Sequence, residues 1–217
     1  MELLHTAHVP AGEGPFPTVL ALHGWGASAH DLLGLAPMIN GGDLLMICPQ
    51  GPLEMETGPG SRGYGWFPIS SGGPPDPSAM VAANFQLRAF LDQAIEHFPI
   101  DPKRLLLMGF SQGGVMAYDL ALQDPARFAG LVALSSWLPG EIAERAERGP
   151  ELEALPTLVI HGTNDPMIPV ERAHESRERL ETLGMSVAHA EYEMGHEIDQ
   201  QSLRDLVGWL EHRFFAP

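Results

Sequence analysis

The chain has 217 residues, 44% hydrophobic and 18% charged. This is enough apolar material for one sizeable core, so we expect a single domain over residues 1–217. The formal net charge is −16 with only 12 Lys and Arg, which argues against nucleic-acid binding because phosphate contacts need clustered cations. With neither a signal-peptide pattern nor an apolar run near the roughly 20 residues of a membrane span, we expect a cytoplasmic protein without such a span.

Short, continuous apolar runs alternate along the chain with longer segments of helical periodicity. The predicted strands cover residues 18–23, 44–49, 104–109, 130–135, 157–162 and 186–192, and the predicted helices cover 79–98, 112–123, 169–183 and 201–213. Continuous apolar runs are typical of parallel strands that are buried on both faces. The order therefore predicts an α/β fold with a mostly parallel sheet and helices on both faces. Residues 2–9 would add an antiparallel edge strand.

One long segment, residues 50–78, interrupts this alternation and is rich in Gly and Pro. A loop of this length inside a compact domain is usually functional or disordered. It contains the aromatic residues Tyr64, Trp66 and Phe67. Two interpretations follow: the segment forms a wall of a substrate pocket, or its aromatic side chains only pin the loop to the core.

The motif G-x-S-x-G occurs at residues 109–113, between a predicted strand and a predicted helix. This context is typical of a nucleophile elbow, in which a tight turn projects the central Ser111 above the strand ends. Bulky residues beside the serine would collide with the strand and the helix, so both flanking positions require glycine. The following helix directs its N–H groups towards the serine and favours negative charge there.

A serine nucleophile needs a base and an acid that orients the base. In folds that carry such a nucleophile elbow, the catalytic residues follow one another along the chain in the order serine, acid, histidine. Asp165 follows a predicted buried strand, and His196 follows the last predicted strand, so both fit. Glu197 and Asp199 compete for the role of the acid, although a side chain so close in sequence to the base usually points elsewhere.

The tetrahedral intermediate of such a reaction also needs preorganised hydrogen-bond donors. The N–H of Gln112, directly after the serine, is one expected donor. A second is expected from the glycine-rich loop at residues 23–28, just past the first buried strand. His161 could form a metal site with Asp165 and His196, but the motif spacing of metal ligands is missing. We therefore expect no metal and no cofactor.

Four segments, LHGWGAS, GFSQGG, HGTNDPMIP and GHEI, stand in this order along the chain. Together they resemble the phospholipase/carboxylesterase family of α/β-hydrolases, which also contains the acyl-protein thioesterases, from about residue 16 to residue 212. The resemblance implies an α/β-hydrolase fold with a minimal N-terminal edge. It also implies a triad of Ser111, Asp165 and His196, with the backbone N–H groups of Trp25 and Gln112 as the oxyanion hole.

The same resemblance suggests which residues line the substrate groove. GYGWFPI is similar to the family's loop beside the groove, and LSSWLP is similar to the stretch after its sixth strand. Trp25 stands where leucine is common in the family; its indole either narrows the acyl site or packs outward against the loop. The predicted pocket residues are Trp25, Tyr64, Trp66, Phe67, Trp137, Leu138, Met167 and Ile168.

We interpret the sequence as a carboxylesterase that cleaves esters of small, short-chain molecules through an acyl-enzyme intermediate. An acyl-thioesterase or a lysophospholipase is the alternative among hydrolases. Outside hydrolases, the alternatives are a catalytically silent binding protein with the same fold and a scaffold protein that uses the 50–78 loop. The expected partner is a small-molecule ester, and the sequence does not indicate the natural substrate or the oligomeric state.

Overall fold

A computed structural model of the protein describes residues 3–69 and 76–215. The strands are β1 (His5–His8), β2 (Phe16–Leu22), β3 (Leu45–Pro49), β4 (Leu53–Gly58), β5 (Ser61–Gly65), β6 (Ile100–Phe110), β7 (Gly130–Leu134), β8 (Thr157–Gly162) and β9 (Val187–Tyr192). The α-helices are α1 (Pro77–His97), α2 (Gln112–Gln123), α3 (Gly140–Arg145), α4 (Pro150–Glu153), α5 (Glu171–Thr182) and α6 (Gln200–Leu210). Short 3₁₀-helices cover Leu33–Met38, Asn40–Gly42 and Pro125–Arg127, and a π-helical turn covers Glu211–Phe215.

Seven strands form one sheet in the order β1-β3-β2-β6-β7-β8-β9. All neighbours are parallel except β1, which pairs antiparallel with β3 at the edge. The predicted mostly parallel sheet and its antiparallel edge strand are therefore confirmed. β2 and β6 lie side by side at the centre, with Leu22 opposite Gly109. This register brings the loop after β2 next to the G-x-S-x-G turn.

The two faces of the sheet carry two separate hydrophobic clusters, because successive side chains of a strand point to opposite faces. Leu20 and Leu22 of β2 belong to the cluster that includes buried residues of α1 to α5. Val19 and Ala21 belong to the other cluster, which contains Leu206 of α6 and residues of the first 3₁₀-helix. Helices thus cover both faces, as predicted.

The segment that interrupts the alternation is not a plain loop. Strands β4 and β5 pair antiparallel as a separate two-stranded hairpin within it. The sequence pattern does not indicate this hairpin, because β4 has only half-buried and exposed residues and β5 contains two glycines. Residues 70–75 of the predicted loop lie outside the described part of the chain. α1 then begins at Pro77, two residues earlier than predicted, with the Asp76 side chain accepting from the Ser78 N–H.

Two short helices, α3 and α4, also lie where no helix was predicted. They have six and four residues, too few for helical periodicity to stand out. In the part of the chain covered by residues 3–69 and 76–215, no helix has both the length and the apolar character needed to cross a membrane.

Candidate active site

Ser111 occupies the tight turn between β6 and α2, and its backbone is strained. Its φ is 54° and its ψ is −120°, a region that costs a non-glycine residue about 1–3 kcal/mol. Hydrogen bonds hold the serine there: its N–H donates to the Leu134 carbonyl at 2.9 Å, and the Ser136 hydroxyl donates to its carbonyl at 2.8 Å. This backbone conformation projects the side chain out of the turn, as expected for a nucleophile elbow.

The glycines on either side of the serine are required by close backbone approaches. A Cβ at Gly109 would lie 2.2 Å from the Gly113 carbonyl oxygen, and a Cβ at Gly113 would lie 2.0 Å from the Leu22 carbonyl oxygen. Both distances are far below van der Waals contact. Because backbone atoms cannot move aside as a flexible side chain can, no other residue fits either position without distorting the turn.

Three side chains from distant parts of the chain meet in one hydrogen-bonded row. His196, in the loop after β9, lies with Nε2 2.9 Å from the Ser111 Oγ. Its Nδ1 lies 2.7 Å from an oxygen of Asp165, which follows β8. An ionised carboxylate only accepts hydrogen bonds, so Nδ1 carries the proton and Nε2 is left to accept one from the serine hydroxyl. The geometry is that of a nucleophile, a base and an orienting acid.

Asp165 is held by its own turn as well as by the histidine. Its Oδ1 accepts from the N–H groups of Met167 and Ile168 at 2.8 and 2.9 Å. Burial raises the pKa of this carboxyl, but the Ile168 N–H, the His196 ring and the Met167 N–H outweigh that effect, and the pKa lies below its ordinary value. Asp165 is therefore anionic at neutral pH, as an acid that orients an imidazole must be.

The competing carboxylates have partners other than His196, and His161 contacts a backbone carbonyl. Asp199 is the N-cap of α6 and accepts from the Ser202 N–H at 2.7 Å, while the Glu197 side chain lies 3.4 Å from the Gly195 N–H. His161 is fully buried, and its Nε2 donates to the Ile168 carbonyl at 2.9 Å. No group of three or more potential ligands suited to a metal ion occurs within the described residues.

The two residues predicted to supply the oxyanion hole lie in segments next to the serine. Gln112 is the first residue of α2, and N–H groups in the first turn of a helix have no acceptor within it. A Cβ at Gly24 would lie only 3.2 Å from the Ser111 Cβ, so the loop that carries Trp25 runs directly beside the elbow. Two backbone hydrogen bonds tie this loop to β5: the Gly26 N–H donates to the Tyr64 carbonyl and the Tyr64 N–H donates to the Ala27 carbonyl.

The predicted pocket residues fall into two groups. Tyr64 and Trp137 are half-buried, and Trp25 and Met167 are 38% and 72% exposed. The others are buried: Trp66, Phe67, Leu138 and Ile168. Trp66 and Phe67 belong to a core cluster, and the Trp66 indole donates to the His23 carbonyl at 2.8 Å. For these two aromatic residues the packing favours the second interpretation, in which they pin the loop to the core.

Two polar residues beside the site were not predicted. The Ser136 hydroxyl supports the Ser111 backbone by its hydrogen bond to the Ser111 carbonyl. His23 is buried, and its Nε2 accepts from the Gly51 N–H at 2.9 Å, so it joins the end of β2 to the segment before the hairpin. His23 directly follows β2, and Ser136 lies two residues after the end of β7. Their place at the carboxyl ends of parallel strands, where sites of this fold lie, is the signal that could have identified them.

A model of the phospholipase/carboxylesterase family matches residues 6–213. The chain belongs to this family. Among its relatives, acyl-protein thioesterase 1 of Gibberella zeae is 29% identical, over 93% of this chain and 92% of that protein. Carboxylesterase SOBER1 of Arabidopsis thaliana is 27% identical, over 90% of each chain. The resemblance stated from the four segments is therefore confirmed.

Solved structures agree with the α/β-hydrolase fold expected for the family. The crystal structure of esterase PE8 superposes with a TM-score of 0.84 at 25% sequence identity, over 98% of this chain and all of that one. The carboxylesterase of Bacillus cereus gives a TM-score of 0.83 at 22% identity, over 98% of this chain and 95% of that chain. Both comparisons cover almost the whole sheet and its helices, so the fold class predicted from the sequence is confirmed.

Proposed function

We propose that the protein is a carboxylesterase, in which Ser111 is the nucleophile, His196 the general base and Asp165 the orienting acid. The observation that carries the proposal is the row of hydrogen bonds from Ser111 through His196 to Asp165, with the serine on a strained elbow. Family membership supports hydrolysis as the reaction class.

In the proposed reaction, His196 Nε2 takes the hydroxyl proton while Ser111 Oγ attacks the ester carbonyl carbon. The backbone N–H groups of Trp25 and Gln112 stabilise the negative charge that forms on the carbonyl oxygen. The protonated histidine then gives its proton to the departing alkoxide, which leaves the acyl group on Ser111. Water, activated by the same base, attacks this acyl-enzyme and releases the carboxylic acid.

Ester substrates of small size are the proposed class, with a short acyl chain because an indole at position 25 fills more space than the leucine common in the family. Thioester hydrolysis is the second candidate, since one relative is named an acyl-protein thioesterase. A panel of p-nitrophenyl esters of increasing chain length, assayed beside acyl-CoA and lysophospholipid substrates, separates these candidates. Higher kcat/KM on acyl-CoA than on every ester would favour the thioesterase.

The Ser111→Ala variant tests the nucleophile. We expect it to fold like the wild type, to lose ester hydrolysis and to lose covalent labelling by a fluorophosphonate, because only the reacting hydroxyl is removed. If the variant kept its activity, the assignment of Ser111 would be wrong. If the wild type itself neither hydrolysed any substrate of the panel nor reacted with the fluorophosphonate, the silent binding protein would be the better interpretation.

A further inference from the structure

The side chain of Gln112 forms two hydrogen bonds that have no part in the proposed reaction. It is 1% exposed. Its Oε1 accepts from the Trp66 N–H at 2.8 Å, and its Nε2 donates to the Phe67 carbonyl at 2.7 Å. The amide therefore links the first residue after the nucleophile to the backbone of the segment that follows the hairpin.

The segment held by this amide also contacts the other side of the proposed oxyanion hole. Gly65 lies between Trp25 and Gln112: a Cβ at Gly65 would come within 2.4 Å of the Trp25 ring and 3.1 Å of the Gln112 Oε1. One residue earlier, Tyr64 exchanges backbone hydrogen bonds with the loop that carries Trp25, from the Gly26 N–H at 2.9 Å and to the Ala27 carbonyl at 2.8 Å. Residues 64–67 thus touch both loops that supply a proposed donor.

We propose that the Gln112 carboxamide is a positioning residue that sets the spacing between the two oxyanion donors. It joins residues 64–67 to the nucleophile elbow, and through them it holds the Trp25 loop against the Gln112 N–H. The inference rests on the proposed function, because it concerns the geometry of that reaction. Hydrogen-bond donors stabilise the developing charge only if they are already in place, and a displacement of about 1 Å can lower the rate by about 10²-fold.

The chemistry of glutamine suits this position. A side-chain amide offers both a donor and an acceptor, and the two backbone groups that it meets are one donor and one acceptor. Glutamate keeps the acceptor for Trp66 but places an oxygen against the Phe67 carbonyl, and methionine has a similar length but forms neither hydrogen bond. Both replacements leave the backbone N–H of residue 112 intact, so they separate the side chain from the donor itself.

The test compares Gln112→Met and Gln112→Glu with the wild type. We expect kcat on p-nitrophenyl acetate to fall at least about tenfold in both variants, with KM within about twofold, because the donors act mainly on the transition state. The inhibition constant of a trifluoromethyl ketone, which forms an oxyanion with the serine, is expected to rise by a similar factor. Loss of packing alone would not produce this split between kcat and KM.

Gln123→Met is the matched control. Gln123 lies on the same helix, eleven residues further along or about 16 Å away, and its amide donates to Asp119 at 2.6 Å. We expect this variant to lose stability without losing kcat. An equal fall in kcat in Gln123→Met would overturn the proposal, since the effect would then come from loosening α2 in general.

The remaining outcomes are also decisive. If the wild type is active and either folded Gln112 variant matches its kcat and its inhibition by the ketone, the proposal is wrong while the proposed function stands. If neither variant folds, the amide serves stability and the proposal is again overturned. If the wild type is itself inactive and does not react with a fluorophosphonate, the proposed function fails first.

Discussion

Replacing Asp165 by asparagine tests the orientation of the imidazole. In the structure, Asp165 Oδ1 accepts two backbone N–H groups, from Met167 and Ile168, and Oδ2 faces His196 Nδ1. The NH₂ group of asparagine cannot face two donors, so its oxygen must take the Oδ1 place. The NH₂ group then points at Nδ1 and donates to it, which moves the ring proton to Nε2.

A histidine protonated at Nε2 cannot accept the proton of the Ser111 hydroxyl. The corresponding change in a serine protease lowers kcat by about 10⁴-fold, equivalent to about 5.4 kcal/mol of barrier. We expect a loss of that order in Asp165→Asn. KM should change little because the Asp165 side chain is fully buried and so is not accessible to a substrate.

The assay is kcat and KM on p-nitrophenyl acetate, together with the rate of fluorophosphonate labelling and the melting temperature. Asp199→Asn is the control: it changes a carboxylate of the same loop region, and asparagine caps a helix as well as aspartate does, so α6 and the activity should be preserved. Activity of folded Asp165→Asn within tenfold of the wild type would refute the reasoning, as would a hundredfold loss in Asp199→Asn.

Two further predictions concern the loop after β2. Trp25→Leu keeps the backbone donor, so turnover of a butyryl ester should change less than about tenfold, against the about 10²–10³ expected for a lost donor, while the octanoyl-to-butyryl ratio of kcat/KM should rise. An unchanged chain-length profile in the folded variant would mean that the indole only packs on Gly65. Burial lowers the pKa of His23, and the Gly24 carbonyl and a nearby carboxylate offset this only in part. The unfolded chain binds this proton below about pH 6.5 and the folded one only at lower pH, so the free energy of unfolding should fall as pH drops below about 6.5. His23→Gln keeps an acceptor near the Gly51 N–H and removes the titration, so urea unfolding at pH 7.5 and 5.5 should show a smaller decrease than in the wild type; an equal decrease would assign the effect to other groups.

Sequence patterns predicted the parts of the fold in which burial dictates residue type. β3, β7 and β8 are buried along their whole length. Their apolar runs were therefore recognisable in the sequence, and the predicted first and last residues of these strands were nearly correct. The hairpin β4–β5 lies outside the main sheet and has polar and glycine residues that carry no such signal. The Gly-x-Ser-x-Gly turn was predictable for a different reason. Its glycines are required because a Cβ at either position would clash with backbone a few residues away in the turn or with one neighbouring strand.

The sequence by itself determined the candidates for the proposed chemistry, namely a serine on a tight turn and a later acid and histidine in the order the fold requires. Only the tertiary structure decided which carboxylate meets His196, because Asp165 is 31 residues away from it and Asp199 only three. It also decided that Trp66 and Phe67 lie in the core and that the Gln112 amide reaches their backbone. Such contacts join segments far apart in the chain, and local periodicity does not record which distant groups a fold brings together.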